Sequence, residues 1–132
     1  MKIATWNVNS INARIEHLVK FIKIDQSDIY LLQELKCTND NFPYDAIKST
    51  GYNASVNGQK AWNGVAILSK KPLEILQNKI PTFNDDQARF IETEIKIPTI
   101  KQSVKLFNIY LPNGNPIETE KFYYKIEWMK KF

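Results

Sequence analysis

The sequence predicts an α/β fold, and three observations predict it. A strand, an amphipathic helix and a second strand open the chain as a β-α-β unit. Strands separated by polar loops fill its middle, one of them alternating apolar and polar residues. A second amphipathic helix comes last.

Lys2 to Val8 reads as a short strand. Ile11, Ile15, Leu18, Val19 and Ile22 then follow helical spacing, giving a helix over roughly Asn12 to Lys23. Asp28 to Gln33 is a compact apolar run bounded by polar residues, which suits a buried strand. The usual right-handed crossover makes it parallel to the first. Tyr52 to Val56 and Gly64 to Leu68 flank the loop Asn57 to Asn63, as in a hairpin with a long connection, and Pro72 ends the second strand. Ile91, Thr93, Ile95 and Ile97 alternate with Glu92, Glu94 and Lys96, the pattern of a strand with one wet face. Pro98 to Gln102 supplies a turn, and Ser103 to Tyr110 an antiparallel strand. Beyond Pro112 to Pro116 a helix begins near Ile117, with Phe122, Ile126 and Met129 on one face. It reaches Phe132 with no glycine, asparagine or proline stop.

The 132 residues have the size of one domain, and 43% hydrophobic content builds a core and excludes wholesale disorder. A net charge of +4 and a pI near 9.1 permit a polyanionic partner without identifying one. The positive charge is nearly all lysine, with Arg14 and Arg89 the only arginines. An arginine in such a chain has a planar fork that can grip phosphate bidentately. Cys37 is the only cysteine, which precludes an intrachain disulfide. The N-terminus turns polar too soon for a signal-peptide core, and no apolar run approaches membrane-spanning length. A cytoplasmic protein without a membrane partner is expected.

Both strands of a β-α-β unit deliver their C-terminal ends to one sheet edge, where ligands of open α/β sheets gather. Asn7 and Asn9 follow the first strand, and Gln33 and Glu34 the second, so amide oxygens and a carboxylate converge there. Such a group suits Mg²⁺, which takes oxygen ligands and one or two carboxylates. The spacing equally fits a carboxylate that caps a surface turn or pairs with Lys36. Tyr110 and Asn113, after the strand Ser103 to Tyr110, can donate to phosphate oxygens. The alternative is a tyrosine packed on its ring with its hydroxyl in water. In the loop Gly58 to Gly64, Lys60 and Trp62 join a cation, an aromatic and amides in a form suited to a nucleic-acid groove, although a tryptophan there also serves as a lid on the core. His17 stands alone in mid-helix, far from every candidate ligand.

Five segments, in order, resemble the exonuclease III family of abasic-site endonucleases, within the DNase I-like superfamily. They are Ile3 to Asn9, Leu32 to Lys36, Gly58 to Lys60 with Asn63 to Ser69, Gln87 to Ile91, and Asn108 to Asn113. The resemblance implies DNA repair by Mg²⁺-dependent phosphodiester hydrolysis, with Mn²⁺ as a possible substitute. The substrate would be double-stranded DNA, cut 5′ to abasic sites or trimmed from 3′ ends. Glu34 matches the family's metal-binding glutamate, Asn7 the asparagine that helps to hold the metal, and Tyr110 the active-site tyrosine at the substrate phosphate. Asn9 stands near the metal and the DNA. Asn113 and Arg89 fall where members contact the DNA backbone, and Lys60 and Trp62 lie in a loop that probes the duplex.

The departures are as informative. Family members continue with a Gly-Asp-x-Asn segment, a further aspartate and a terminal Asp-His pair, and this sequence contains none of them. Residues 1–132 are therefore expected to form the N-terminal half of a four-layer α/β sandwich, supplying one mixed β-sheet with flanking helices. The whole enzyme would be a monomer. The half alone would be inactive and, with a bare inner face, prone to self-association. Two rivals remain: a non-catalytic DNA- or partner-binding module, and another phosphodiesterase or phosphatase of the superfamily.

Overall fold

The protein is described by a computed structural model, which covers residues 1–97 and 102–132. The elements run β1 (Ile3–Asn7), α1 (Ile11–Asp25), β2 (Ile29–Gln33), α2 (Tyr44–Lys48), β3 (Asn53–Asn57), β4 (Val65–Ser69), β5 (Ile75–Gln77), β6 (Phe90–Ile97), β7 (Gln102–Ile109) and α3 (Glu120–Lys131). The expected β-α-β unit, hairpin and alternating strand all form, within one to three residues of their expected bounds. The short elements α2 and β5 have no counterpart in the sequence reading, and the last helix starts at Glu120, not near Ile117. Most of the turn expected at Pro98 to Gln102 lies outside the described residues.

The described residues form two sheets, not one. The first has the order β1-β2-β4-β3 and the second β5-β6-β7. β1 and β2 are parallel, and every other pair is antiparallel. Side chains alternate across a strand. In β2 and β4, Tyr30, Leu32, Ala66 and Leu68 pack with Leu18, Ile22 and Ile47 under α1 and α2. Their alternates Ile29, Val65 and Ile67 pack with Ile91 and Leu106 of the second sheet. Burial on both faces explains why both strands read as continuous apolar runs. Beyond the second sheet, Trp128 and Tyr124 of α3 close over Phe90, Ile109 and Ile80.

The chain thus crosses all four layers of a helix-sheet-sheet-helix sandwich. The expectation of one sheet with a bare inner face is corrected accordingly, because β2 and β7, each expected to want a partner sheet, belong to opposing sheets that pack together. The face of α3 is corrected too. Tyr124 and Trp128, one helical turn apart, point inward, whereas Met129 is 52% exposed. Asn108 pins the sheets to each other. It is buried on β7, and its Nδ2 donates to the carbonyls of Leu32 (2.9 Å) and Ala66 (2.8 Å) in the first sheet. Gln33 Nε2 donates to its Oδ1 at 2.7 Å. Among the described residues, no helix is long and apolar enough to cross a membrane.

Candidate active site

The strand registers bring the candidate residues to one edge of the sandwich. Asn7 pairs with Gln33, Gln33 with Val65 and Val65 with Asn57, so the ends of β1, β2 and β3 and the start of β4 lie in a row. In the second sheet Phe90 pairs with Ile109, which sets Arg89 and Tyr110 at one end of their strands. Backbone bonds tie the loops of this edge together. Ser10 N donates to Glu34 O, Lys36 N to Asn63 O, and Gly64 N to Ala88 O. Gly64 is required here, because its φ is +88° and a Cβ would come within 2.9 Å of Leu35 Cβ. Asn9, Ser10, Glu34, Lys36, Ala61 and Asn63 also adopt positive φ, a concentration of strained backbone characteristic of functional sites.

Glu34 is the centre of the edge. Its Oε1 accepts from Asn7 Nδ2 at 2.8 Å and from the Tyr110 hydroxyl at 2.6 Å. Its Oε2 lies 3.4 Å from Lys36 Nζ. Burial works to raise the carboxyl pKa, but the hydrogen bonds from Asn7, Tyr110 and Lys36 outweigh it and hold the pKa below its ordinary value. Tyr110 shifts the opposite way: burial, then its bond to the Glu34 carboxylate, pushes the phenol up. Asn9 belongs to the same cluster. Its backbone N–H donates to Asn7 Oδ1 at 3.1 Å, and its side-chain Oδ1 accepts from Lys36 Nζ. Of the alternatives left by spacing, the pairing of Glu34 with Lys36 is present, and the same carboxylate also meets Asn7 and Tyr110. Tyr110 does not leave its hydroxyl to water.

The remaining candidates flank this cluster. Trp62 is 69% exposed and is no lid on the core. It lines an open groove with Gln59, Asn63, Gln87 and Arg89, and Lys60 is exposed on the same loop. Asn113 is exposed three residues beyond Tyr110, with its Oδ1 accepting from Asn115 Nδ2 at 2.7 Å. His17 is exposed on α1 and takes no part. Sequence reasoning named Gln33 at this edge and Lys36 as a partner of Glu34 without choosing either as a site residue, and it chose none of Asn108, Gln59 and Gln87. All five lie in the quoted segments, one or two residues from a chosen one.

The donors at the edge are oxygens of a carboxylate and of side-chain amides, a set that suits a hard cation such as Mg²⁺. Among the described residues, no three Asp, Glu, His or Cys side chains gather into a metal cluster. One carboxylate nonetheless satisfies the pattern in which water and substrate phosphate complete the octahedron.

A sequence profile of the endonuclease/exonuclease/phosphatase family matches residues 4–128. The chain belongs to this family. Exodeoxyribonuclease III of Haemophilus influenzae is 35% identical over 119 residues, which cover 86% of this chain and 42% of that protein. An exodeoxyribonuclease of Bacillus subtilis is 28% identical, covering 97% of this chain and 49% of that one. The family fold is equally clear in solved structures. A Neisseria 3′ phosphatase, NExo, bound to a product DNA hairpin superposes with a TM-score of 0.91 at 36% identity. An AP endonuclease from Archaeoglobus fulgidus gives 0.88 at 34%. Each superposition covers 99% of this chain and 49% of the other. The chain spans about half the length of the relatives it matches. The expected DNase I-like fold and exonuclease III-type membership therefore stand.

Proposed function

We propose that this chain forms part of a Mg²⁺-dependent DNA-repair phosphodiesterase of the exonuclease III and AP endonuclease type, acting on duplex DNA at abasic sites or 3′ ends. The observation that carries the reading is the meeting of Glu34, Asn7 and Tyr110 at one strand edge in a chain of this family. Glu34, with Asn7 beside it, would hold the metal. When bound, the metal supplies charge stabilisation at the phosphate and the leaving oxygen. Asn7 orients the Glu34 carboxylate, and Asn9 fixes Asn7 through its backbone N–H. The Tyr110 phenol, kept protonated by burial and by Glu34, orients the scissile phosphate. Lys60, Trp62 and Asn113 border the cluster on exposed segments that suit contact with the DNA backbone and groove.

Residues 1–132 by themselves are proposed to be inactive. General-base help in water attack is worth about 10²–10⁴-fold. Among the described residues, the carboxylate that Asn7, Tyr110 and Lys36 meet at this edge is that of Glu34, which is already committed to them. The experiment is an incision assay on a duplex with one abasic analogue, comparing the native-length protein with residues 1–132. EDTA-sensitive incision by the native-length protein alone is expected. A native-length protein that binds such DNA without cleaving it would favour the non-catalytic module instead. The Neisseria relative is described as a 3′ phosphatase. A second substrate with a 3′-terminal phosphate therefore shows which ester the site prefers.

A further inference from the structure

We infer that Arg89 is a positioning residue that clamps Tyr110 in place, and not a ligand of DNA phosphate. The inference rests on the role proposed above for Tyr110. Two of the three guanidinium nitrogens already donate inside the protein: Nε to Gln87 Oε1 at 2.8 Å and Nη1 to the Tyr110 carbonyl at 3.2 Å. The Tyr110 N–H returns to the Arg89 carbonyl at 2.8 Å, so the two residues hold each other through backbone and side chain. The cation also lies over the Tyr110 ring, 4.9 Å from its centroid, and 5.8 Å from that of Tyr124 on α3.

The clamp is itself held in a closed circuit. Tyr124 donates its hydroxyl to Asp85 Oδ2 at 2.6 Å, and Gln87 N donates to Asp85 Oδ1 at 3.0 Å. Gln87 Oε1, which accepts from Arg89, also accepts from Asn63 Nδ2 at 3.2 Å. Asp85, Tyr124, Arg89 and Gln87 thus fix one another, and what they present to the active edge is the Tyr110 ring. A planar fork that donates at two nitrogens while stacking between two rings is something lysine cannot reproduce.

The test uses the native-length protein with Arg89→Lys, Arg89→Gln and Gln87→Ala, each checked for an unchanged circular dichroism melt. If Arg89 positions Tyr110, all three lower kcat, on the order of 10- to 100-fold for the Arg89 variants. Duplex affinity and its salt dependence stay as in the parent, and lysine does not rescue. Tyr110 ring resonances, assigned by their loss in Tyr110→Phe, move in all three variants. The inference is overturned if Arg89→Gln lowers the log K against log salt slope by about 0.9, one phosphate's worth, while Arg89→Lys restores affinity and rate. Unmoved Tyr110 resonances overturn it as well. A parent protein without DNA hydrolysis would sink the proposed function alone, since the resonances report the clamp regardless of activity.

Discussion

The Tyr110 hydroxyl, at the end of one sheet, donates a 2.6 Å hydrogen bond to Glu34 Oε1, at the end of the other. The active edge is therefore assembled across the sandwich, and its geometry depends on how the two sheets are held. Replacing Tyr110 by Phe removes one donor and leaves the ring between Glu34 and Arg89. In the native-length protein, single-turnover cleavage should slow on the order of 10²-fold, as when one transition-state donor is lost. Duplex affinity should change little, because phosphate contacts elsewhere on the surface remain. An unchanged cleavage rate would remove Tyr110 from the machinery.

Beneath that contact, Asn108 holds the sheets at their spacing. Asn108→Ala would leave the buried carbonyls of Leu32 and Ala66 without this donor and take one acceptor from the Gln33 amide, which keeps Thr5 Oγ1 and the Leu31 carbonyl. Unsatisfied buried groups cost about 1–3 kcal/mol each, so the loss should be several kcal/mol, read as a lower urea midpoint with an unchanged m-value. A loss below ~1 kcal/mol would show that the two carbonyls are satisfied without it.

Much of this was legible beforehand, for identifiable reasons. The β-α-β unit is short-range and periodic, and its two parallel strands must end at the same edge, so Asn7 and Glu34 could be brought together from sequence. The two-sheet division could not. β4 and β6 both look like strands with a buried face, and nothing in their alternation says whether they share a ladder or stack face to face. The face of α3 was misread because Trp128 and Tyr124 compete with Phe122, Ile126 and Met129 for inward positions, and packing beneath Phe90 decides between them.

At the opposite end of the sandwich Asp25 accepts from Lys2 Nζ at 2.6 Å, from Tyr30 at 3.0 Å and from Ser27. The Lys2 and Ser27 bonds, against the opposing effect of burial, drive its pKa far below the ordinary carboxylate range. Tyr30 in turn is pushed up to about 12, by burial and by Asp25. A carboxyl whose pKa falls on folding contributes stability that is fully present above its unfolded pKa of about 4. That stability is lost as pH falls toward the folded value. Urea denaturation at pH 7, 4 and 3 should show an acid loss that is flattened in Asp25→Asn. An Asp25→Asn protein with the parent's acid dependence would assign the loss to other carboxyls.

β1 and β7 are each an edge of their sheet, and they lie on the same side of the sandwich, because β7 packs over β2 and β4, and β6 over β3 and β4. Unpaired edges template association. Residues 1–132 expressed alone should elute as dimers or larger species in light-scattering chromatography, and Lys substitutions at Ile3 and Phe107, 42% exposed on those edges, should shift them toward monomer. A monodisperse monomer would mean that the two edges are self-protecting.

The most direct test of the active edge is the metal dependence of Glu34→Gln in the native-length protein. The substitution keeps the shape of the side chain and its place between Asn7 and Tyr110 but removes its negative charge. Cleavage of an abasic-site duplex should need ~10- to 100-fold more Mg²⁺ for its half-maximal rate, a loss of the size seen when metal-site groups are altered, while the thermal melt stays at the parent value. A half-maximal Mg²⁺ concentration equal to the parent's would contradict the assignment of Glu34, and with it the site.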